Sequence, residues 1–289
     1  LNRNEILSLS SKLGMAPSGF VRKNETSYKE NNFGEILNDN EAMASAIEKF
    51  QSAATIASAA GNTSLAAAAH GATARAYRAL YFDEKWNSSK DDMSTFKKAS
   101  DAAKAALAIS ATYVEYANYA PPGASNFVYS SVNASRYNRM DPKYAYMKDP
   151  VSGDIDPRII HGPKVNESPR TGDDVYLITK YPDEGADIPV SRADEARLII
   201  AEYAAMTNDL ATAVSMINEV RTGVGLADFV STDQAEVLTQ LKYERSVELW
   251  YEGRRWQDMR HYELIPVRWA EINKGKGVHR RWPVSQLEK

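Results

Sequence analysis

The stretch YERSVELWYEGRRWQDMRHYELIP, residues 243–266, sets Glu244, Glu248 and Glu252 at steps of four. On a continuous helix the three carboxylates share one face. Paired carboxylates are the tools of glycoside hydrolysis, where they flank the scissile bond about 5 to 9.5 Å apart. Helical neighbours four apart reach that range, but both project from one surface and cannot easily stand on opposite sides of a sugar. Arg245, Arg254, Arg255 and Arg260 crowd the same stretch, and nearby guanidiniums keep carboxylates ionised rather than poised as acids. The pattern reads as a structural ion-pair network, with Val247, Trp250 and Tyr251 on a different face that suits core packing. Gly253 allows a bend or a close backbone approach.

Other chemistries find less support. The histidines, His70, His161, His261 and His279, are scattered and form no pair at metal-ligand spacing. Asp149, Asp154 and Asp156 surround Gly153 in YMKDPVSGDIDP, but the spacing does not match an EF-hand loop and reads as an acidic turn. There is no G-x-S-x-G elbow and no glycine-rich phosphate loop. Cysteine is absent, which excludes disulfides and thiolate chemistry. No metal or cofactor is implied.

The chain has 289 residues, is 43% hydrophobic and 25% charged, and carries a net charge of -3. These values suit a folded domain with a sizeable core and give no basic footprint for nucleic acid. No run approaches the roughly 20 apolar residues of a bilayer-spanning helix. The chain opens Leu1-Asn2-Arg3 without an initiator Met or a signal sequence, as expected of a mature, trimmed or partial product.

The elements that must position these residues are mainly α-helical. Ala42, Ala46, Phe50, Ala53, Ala57 and Ala60 repeat at three and four, and Gly61-Asn62 ends that helix. Alanine-rich helices are predicted from about Leu65 to Tyr81 and from Ser94 to Ile109, joined by the polar link DEKWNSSKDD, with Tyr77, Leu80 and Phe96 filling gaps between them. The same grammar returns in residues 191–226. Ser191 is placed to cap a helix carrying Asp194 and Glu195, Asn208-Asp209 supplies the turn and a new cap, and Ala213, Val214, Ile217 and Val220 form an inner face that Gly223 and Gly225 close. Such pairs look like divergent tetratricopeptide-type units.

Residues 110–190 differ, with proline, glycine, asparagine and many tyrosines but no sustained period beyond a short strand at VYLITKY. An irregular stretch of this length is usually functional surface or flexible loop. Tyrosine rings can stack on the C–H faces of sugars while polar neighbours meet the hydroxyls. Tyr116, Tyr119, Tyr129 and Tyr137 are the ligand candidates, with Asn118, Asn126, Asn133 and Arg136 interleaved. Each tyrosine has a plainer reading as a wedge that fixes the segment onto the helices.

The order of the motifs is itself informative. Asp156-Pro157-Arg158 leads to Thr179-Lys180-Tyr181, then EARLIIAEYAAM and a segment with Ile217, Asn218, Val220 and Arg221. Glu244, Arg245, Glu248, Glu252, Gly253, Arg255, Asp258 and Arg260 follow, and Trp282-Pro283-Val284 with Leu287-Glu288 comes last. This combination resembles the SusD/RagB family of Bacteroidota outer-membrane lipoproteins. The resemblance implies one SusD-like domain over 1–289, with helical hairpins at about 40–110 and 191–262 flanking the tyrosine-rich segment. It also implies a lipid-anchored, non-enzymatic surface protein that binds an oligosaccharide or peptide and delivers it to a SusC-like TonB-dependent transporter. Membrane attachment is expected through an N-terminal lipid anchor whose cysteine this chain lacks. A helical-repeat adaptor and a glycan-processing enzyme are the alternatives.

Overall fold

The computed structural model describes residues 40–88, 91, 93–134, 140, 142–167 and 174–264. They fall into two compact units, one drawn from Leu1–Ala102 and Trp256–Lys289, the other from Ala103–Arg255. The fold is mainly α-helical, with helical hairpins and a few short strands. No described helix is long and apolar enough to cross a membrane.

In the first unit, α1 (Asn40–Ala59) and α2 (Thr63–Ser88) form the opening hairpin, and α3 (Met93–Ile109) begins there. Gly61 adopts φ +72, and the Asn62 N–H reaches the Ala57 carbonyl at 2.8 Å, closing α1. The Asn62 side chain then accepts from the Leu65 N–H at 3.0 Å, so two residues end one helix and cap the next. The buried stripe of α1 follows Ile47, Ala54 and Ala57, which corrects the predicted stripe and leaves Phe50 on its margin, 40% exposed. Tyr77, Leu80 and Phe96 are buried. Tyr81 stacks on Phe96 at 4.8 Å. Helix α2 also runs through DEKWNS, beyond the predicted stop at Tyr81, because that stretch lacks both Gly and Pro. Helix α8 (Arg255–His261) joins this unit through a buried Arg78–Asp258 pair at 3.0 Å, with His261 stacked on Phe82 at 4.4 Å.

In the second unit, β1 (Val114–Ala117) precedes a short turn, α4 (Phe127–Tyr129), that continues as π-helix over Ser130–Ala134. A 3-10 turn at Pro142–Tyr146 follows, then β2 (His161–Glu167), β3 (Asp174–Ile178) and β4 (Ile188–Arg192). Strand β1 pairs with β4 and β2 with β3, both antiparallel and both irregular in register. The predicted strand is thus one arm of a hairpin whose other arm, HGPKVNE, shows no clean alternation.

Helices α5 (Ala193–Met206), α6 (Leu210–Gly223) and α7 (Gln234–Glu248) complete the unit. Leu198, Ala201, Ala205, Ala213, Ile217, Val220, Val237 and Leu241 are buried in one shared core. Alanines on α5 permit the close approach that the larger residues of α6 and α7 then fill. Asn208 turns the chain at φ 63 and Asp209 accepts from the Thr212 N–H, as predicted for that turn. Ser191, by contrast, is not the cap of α5. It is buried in β4 opposite Glu115, Arg192 takes the capping position, and the Ala193 N–H is satisfied by the Tyr113 carbonyl at 2.9 Å. The β1–β4 ladder runs into the helix and does the work expected of a side chain.

Helix α7 ends at Glu248, and a turn with Tyr251 at φ 58 and Gly253 at φ 77 separates it from α8. Glu252 therefore does not share a helical face with Glu244 and Glu248. A Cβ on Gly253 would meet nothing within 4 Å, so the glycine is needed for conformation and not for space. Gly253→Ala should lower stability by about 1 kcal/mol through left-handed backbone strain. Urea unfolding is the measurement, and Gly253→Asn should recover part of the loss. An unchanged midpoint in Gly253→Ala would mean that the turn relaxes freely.

Candidate functional site

The charged residues of the second unit converge on the C-terminal half of α7. Arg221, from α6, has no solvent exposure and spends its guanidinium on three partners. It holds Asp149 through two bonds of 2.7 and 3.0 Å, Glu244 at 2.7 Å and the Ala227 carbonyl at 2.7 Å. Gln240 donates to the same Glu244 oxygen at 2.7 Å. The other Glu244 oxygen accepts from Arg158. Arg158 also grips Asp156 with a planar fork of 2.9 and 2.7 Å, and the Arg158 backbone N–H at 2.9 Å and the Tyr243 hydroxyl at 2.8 Å donate to Asp156 as well.

Arg158 reaches Glu248 at 3.4 Å, and Arg192 takes that residue's other oxygen at 2.7 Å. Arg192 further bonds the Glu248 carbonyl at the end of α7, where a cation complements the helix dipole, and Glu252 at 3.1 Å. Lys180 completes the set, 2.7 Å from both Glu252 and the Trp250 carbonyl. All six oxygens of Glu244, Glu248 and Glu252 thus accept from a cation or an amide.

The arginines that do this come from distant segments. Neighbouring Arg254, expected around these carboxylates, pairs instead with Glu195 at 3.2 Å. Arg245 is buried, Arg255 opens α8, and the side chain of Arg260 lies outside the described residues. Asn218 sits beside the network and pins the loop after α6, exchanging bonds of 3.0 and 2.8 Å with the Phe229 backbone.

Burial alone would raise the Asp149 carboxyl, but Arg221 and the Ser152 backbone overcome it and hold it at about 2. Burial likewise works against Asp156, and Arg158 with Tyr243 brings it below the usual carboxylate range. Burial lowers the Lys180 ammonium against the opposing pull of Glu252. Asp194 is pushed up by burial and by Glu248, against Arg192 and Arg197. The acidic turn at 149–156 is accordingly part of the scaffold. Among the described residues no group of three or more His, Asp or Glu is placed to hold a metal ion.

The tyrosines divide by placement. Tyr116 is 44% exposed on β1. Tyr119 is half-buried, and its backbone N–H donates to Asp187 at 3.0 Å. Tyr129 packs on the core of Tyr144, Tyr176, Ile178, Val247 and Trp250. Tyr137 and Arg136 lie outside the described residues. Asn126 and Asn133 brace backbone: Asn126 bonds the Ala186 carbonyl and the Tyr129 N–H, and Asn133 exchanges bonds of 2.8 and 3.0 Å with Ile178. The most exposed tyrosine among those located is Tyr146, at 65%. Its place in the same tyrosine-rich run is the one signal the sequence offers for it.

Paired helices, a polar lock at the end of α7 and a short-stranded aromatic segment define a helical-hairpin scaffold. The sequence profile of the SusD family matches residues 173–284. That segment is thus similar to the SusD family, and the fold is SusD-like. A SusD superfamily protein from Parabacteroides distasonis shares 14% identity at a TM-score of 0.51, over 66% of this chain and 52% of that one. A SusD-like protein from Bacteroides fragilis shares 14% identity at a TM-score of 0.50, over 70% of this chain and 55% of that one. The chain spans about half the length of the solved structures it matches. Comparison with curated protein sequences gives no match.

Arg221→Met should cost about 3 to 5 kcal/mol, because Asp149 and Glu244 stay buried without their guanidinium. Chemical denaturation measures it, and a loss below about 1 kcal/mol would mean that the carboxylates find other partners. The Asp149 shift also sets a pH window. Its folded value lies below the unfolded one of about 3.9, so its contribution is complete above about pH 4 and lost as pH falls toward 2. Asp149→Asn should flatten the fall in stability between those limits.

Proposed function

We propose that the chain is a cell-surface nutrient-binding protein that captures an oligosaccharide and passes it to a SusC-like TonB-dependent transporter of the outer membrane. The observation that carries this reading is the SusD-family match over residues 173–284 on a SusD-like fold. Anchoring at the outer membrane through an N-terminal lipid belongs to the same reading. So does the absence of catalysis, since the carboxylates best spaced for glycan hydrolysis are fully engaged by Arg158, Arg192, Arg221, Lys180 and Gln240. Tyr116 and Tyr119 are proposed ligand contacts, because they keep open surface where Tyr129 packs on the core.

The test combines binding, turnover and partner recovery. Titration calorimetry with maltohexaose, cellohexaose, laminarihexaose, xylohexaose and oligogalacturonate should find at least one ligand. Chromatography after prolonged incubation should find that ligand intact. A tagged chain recovered from outer membranes should bring a β-barrel transporter with it. Absence of both a bound glycan and a transporter would remove the reading. Cleaved product that disappears in Glu248→Gln would replace it with an enzyme.

A further inference from the structure

We propose that Tyr146, Tyr176 and His161 form a glycan subsite on the β2–β3 hairpin, in which the Tyr146 ring takes the C–H face of one pyranose. The inference rests on the binding reading above and names a place for it.

The 3-10 turn that ends at Tyr146 is anchored by its own core residues, Tyr144 and Ala145, which are buried. The backbone is therefore fixed, yet the next side chain is 65% exposed. That ring does not wander. Its hydroxyl bonds the hydroxyl of buried Tyr176 at 2.6 Å, and the two rings meet edge to face at 6.1 Å and 89°. A ring held at both ends has little rotamer freedom left to lose on binding, which favours contact over bare exposure.

His161 adds the second polar group. In the ladder it faces Ile178, but its ring lies 5.4 Å from that of Tyr176, at 79°. The register shift between His161 and Lys164 re-aims the side chain in this way. His161 Nδ1 is 2.8 Å from the Gly162 carbonyl. A carbonyl can only accept, so Nδ1 carries a proton and donates to it, and Nε2 is the ring's other polar atom. The tyrosine pair adds its joined hydroxyls at the rim of the exposed ring.

One flat apolar face bordered by polar groups complements a sugar ring, which is apolar on its C–H face and polar at its rim. The exposed Lys164 stands opposite Tyr176 in the ladder, so an acidic sugar belongs in the test beside the neutral ones.

Tyr146→Ala, Tyr146→Phe and His161→Ala in the full chain would be titrated with the hexasaccharides and oligogalacturonate named above. For whichever of these the wild type binds, Tyr146→Ala should weaken binding about ten-fold, and the two milder variants about three-fold. The melting temperature should hold. Wild-type affinity in Tyr146→Ala would overturn the subsite and leave the binding function standing. Should Tyr146→Ala lower the melting temperature, the other two decide: a loss in either supports the subsite, and wild-type affinity in both overturns it. A wild type that binds none of these sugars overturns the subsite, and the proposed function falls with it when no transporter is recovered either.

Discussion

Arg221 is always charged and fully enclosed, so every partner its guanidinium needs must come from inside the protein. It finds them on the 148–155 turn, on α7 and on the loop after α6, through Asp149, Glu244 and the Ala227 carbonyl. None of these can shift by an ångström without stranding a buried charge. Arg158 passes the same demand to the Asp156 turn and to Glu248, and Arg192 with Lys180 carries it to Glu252 and the end of α7. Buried ion pairs add little net stability over apolar packing of equal volume, but breaking one is expensive. Their consequence here is geometric: the alanine-rich helical core and the aromatic core of the hairpin segment are held in one register.

How legible this was in the sequence depends on the range of the interaction. Helices α5 and α6 follow from local rules, because periodic alanines, Asn208-Asp209 and the closing glycines act within a few residues of themselves. The motif residues were legible as a charged network, but their pairing was not. Glu244 lies 86 residues from Arg158 and 23 from Arg221, and nothing local selects those arginines over the adjacent Arg245. The break after Glu248 was hidden for a related reason. A lone Gly253 is compatible with a helix, and the turn is fixed by Lys180 and Arg192 bonding the Trp250 and Glu248 carbonyls from afar. Strand β2 escaped because its Gly162-Pro163 start and shifted register erase the alternation that marked β3.

The same distinction bears on which residues can meet a ligand. In an irregular segment most backbone groups lack a helix or sheet partner, and side chains must satisfy those that are buried. Asn126 and Asn133 are consumed in this way, each bonded to backbone through both ends of its amide. Tyr129 sits on the turn that Asn126 caps and is drawn onto the core with it. From sequence these residues look like a polar and aromatic binding set, whereas their contacts are those of a frame.

An aromatic ring in such a segment is left for a ligand only when other residues already fix its backbone. Tyr146 meets that condition, since Tyr144 and Ala145 anchor its turn and Tyr176 orients its ring from beneath. The lock at the end of α7 therefore acts on this ring at a distance. Trp250 and Val247 leave α7 beside Glu248 and pack in the same core as Tyr144, Tyr176 and Ile178. The charge network fixes where that core lies, and the core fixes the face that the exposed ring presents.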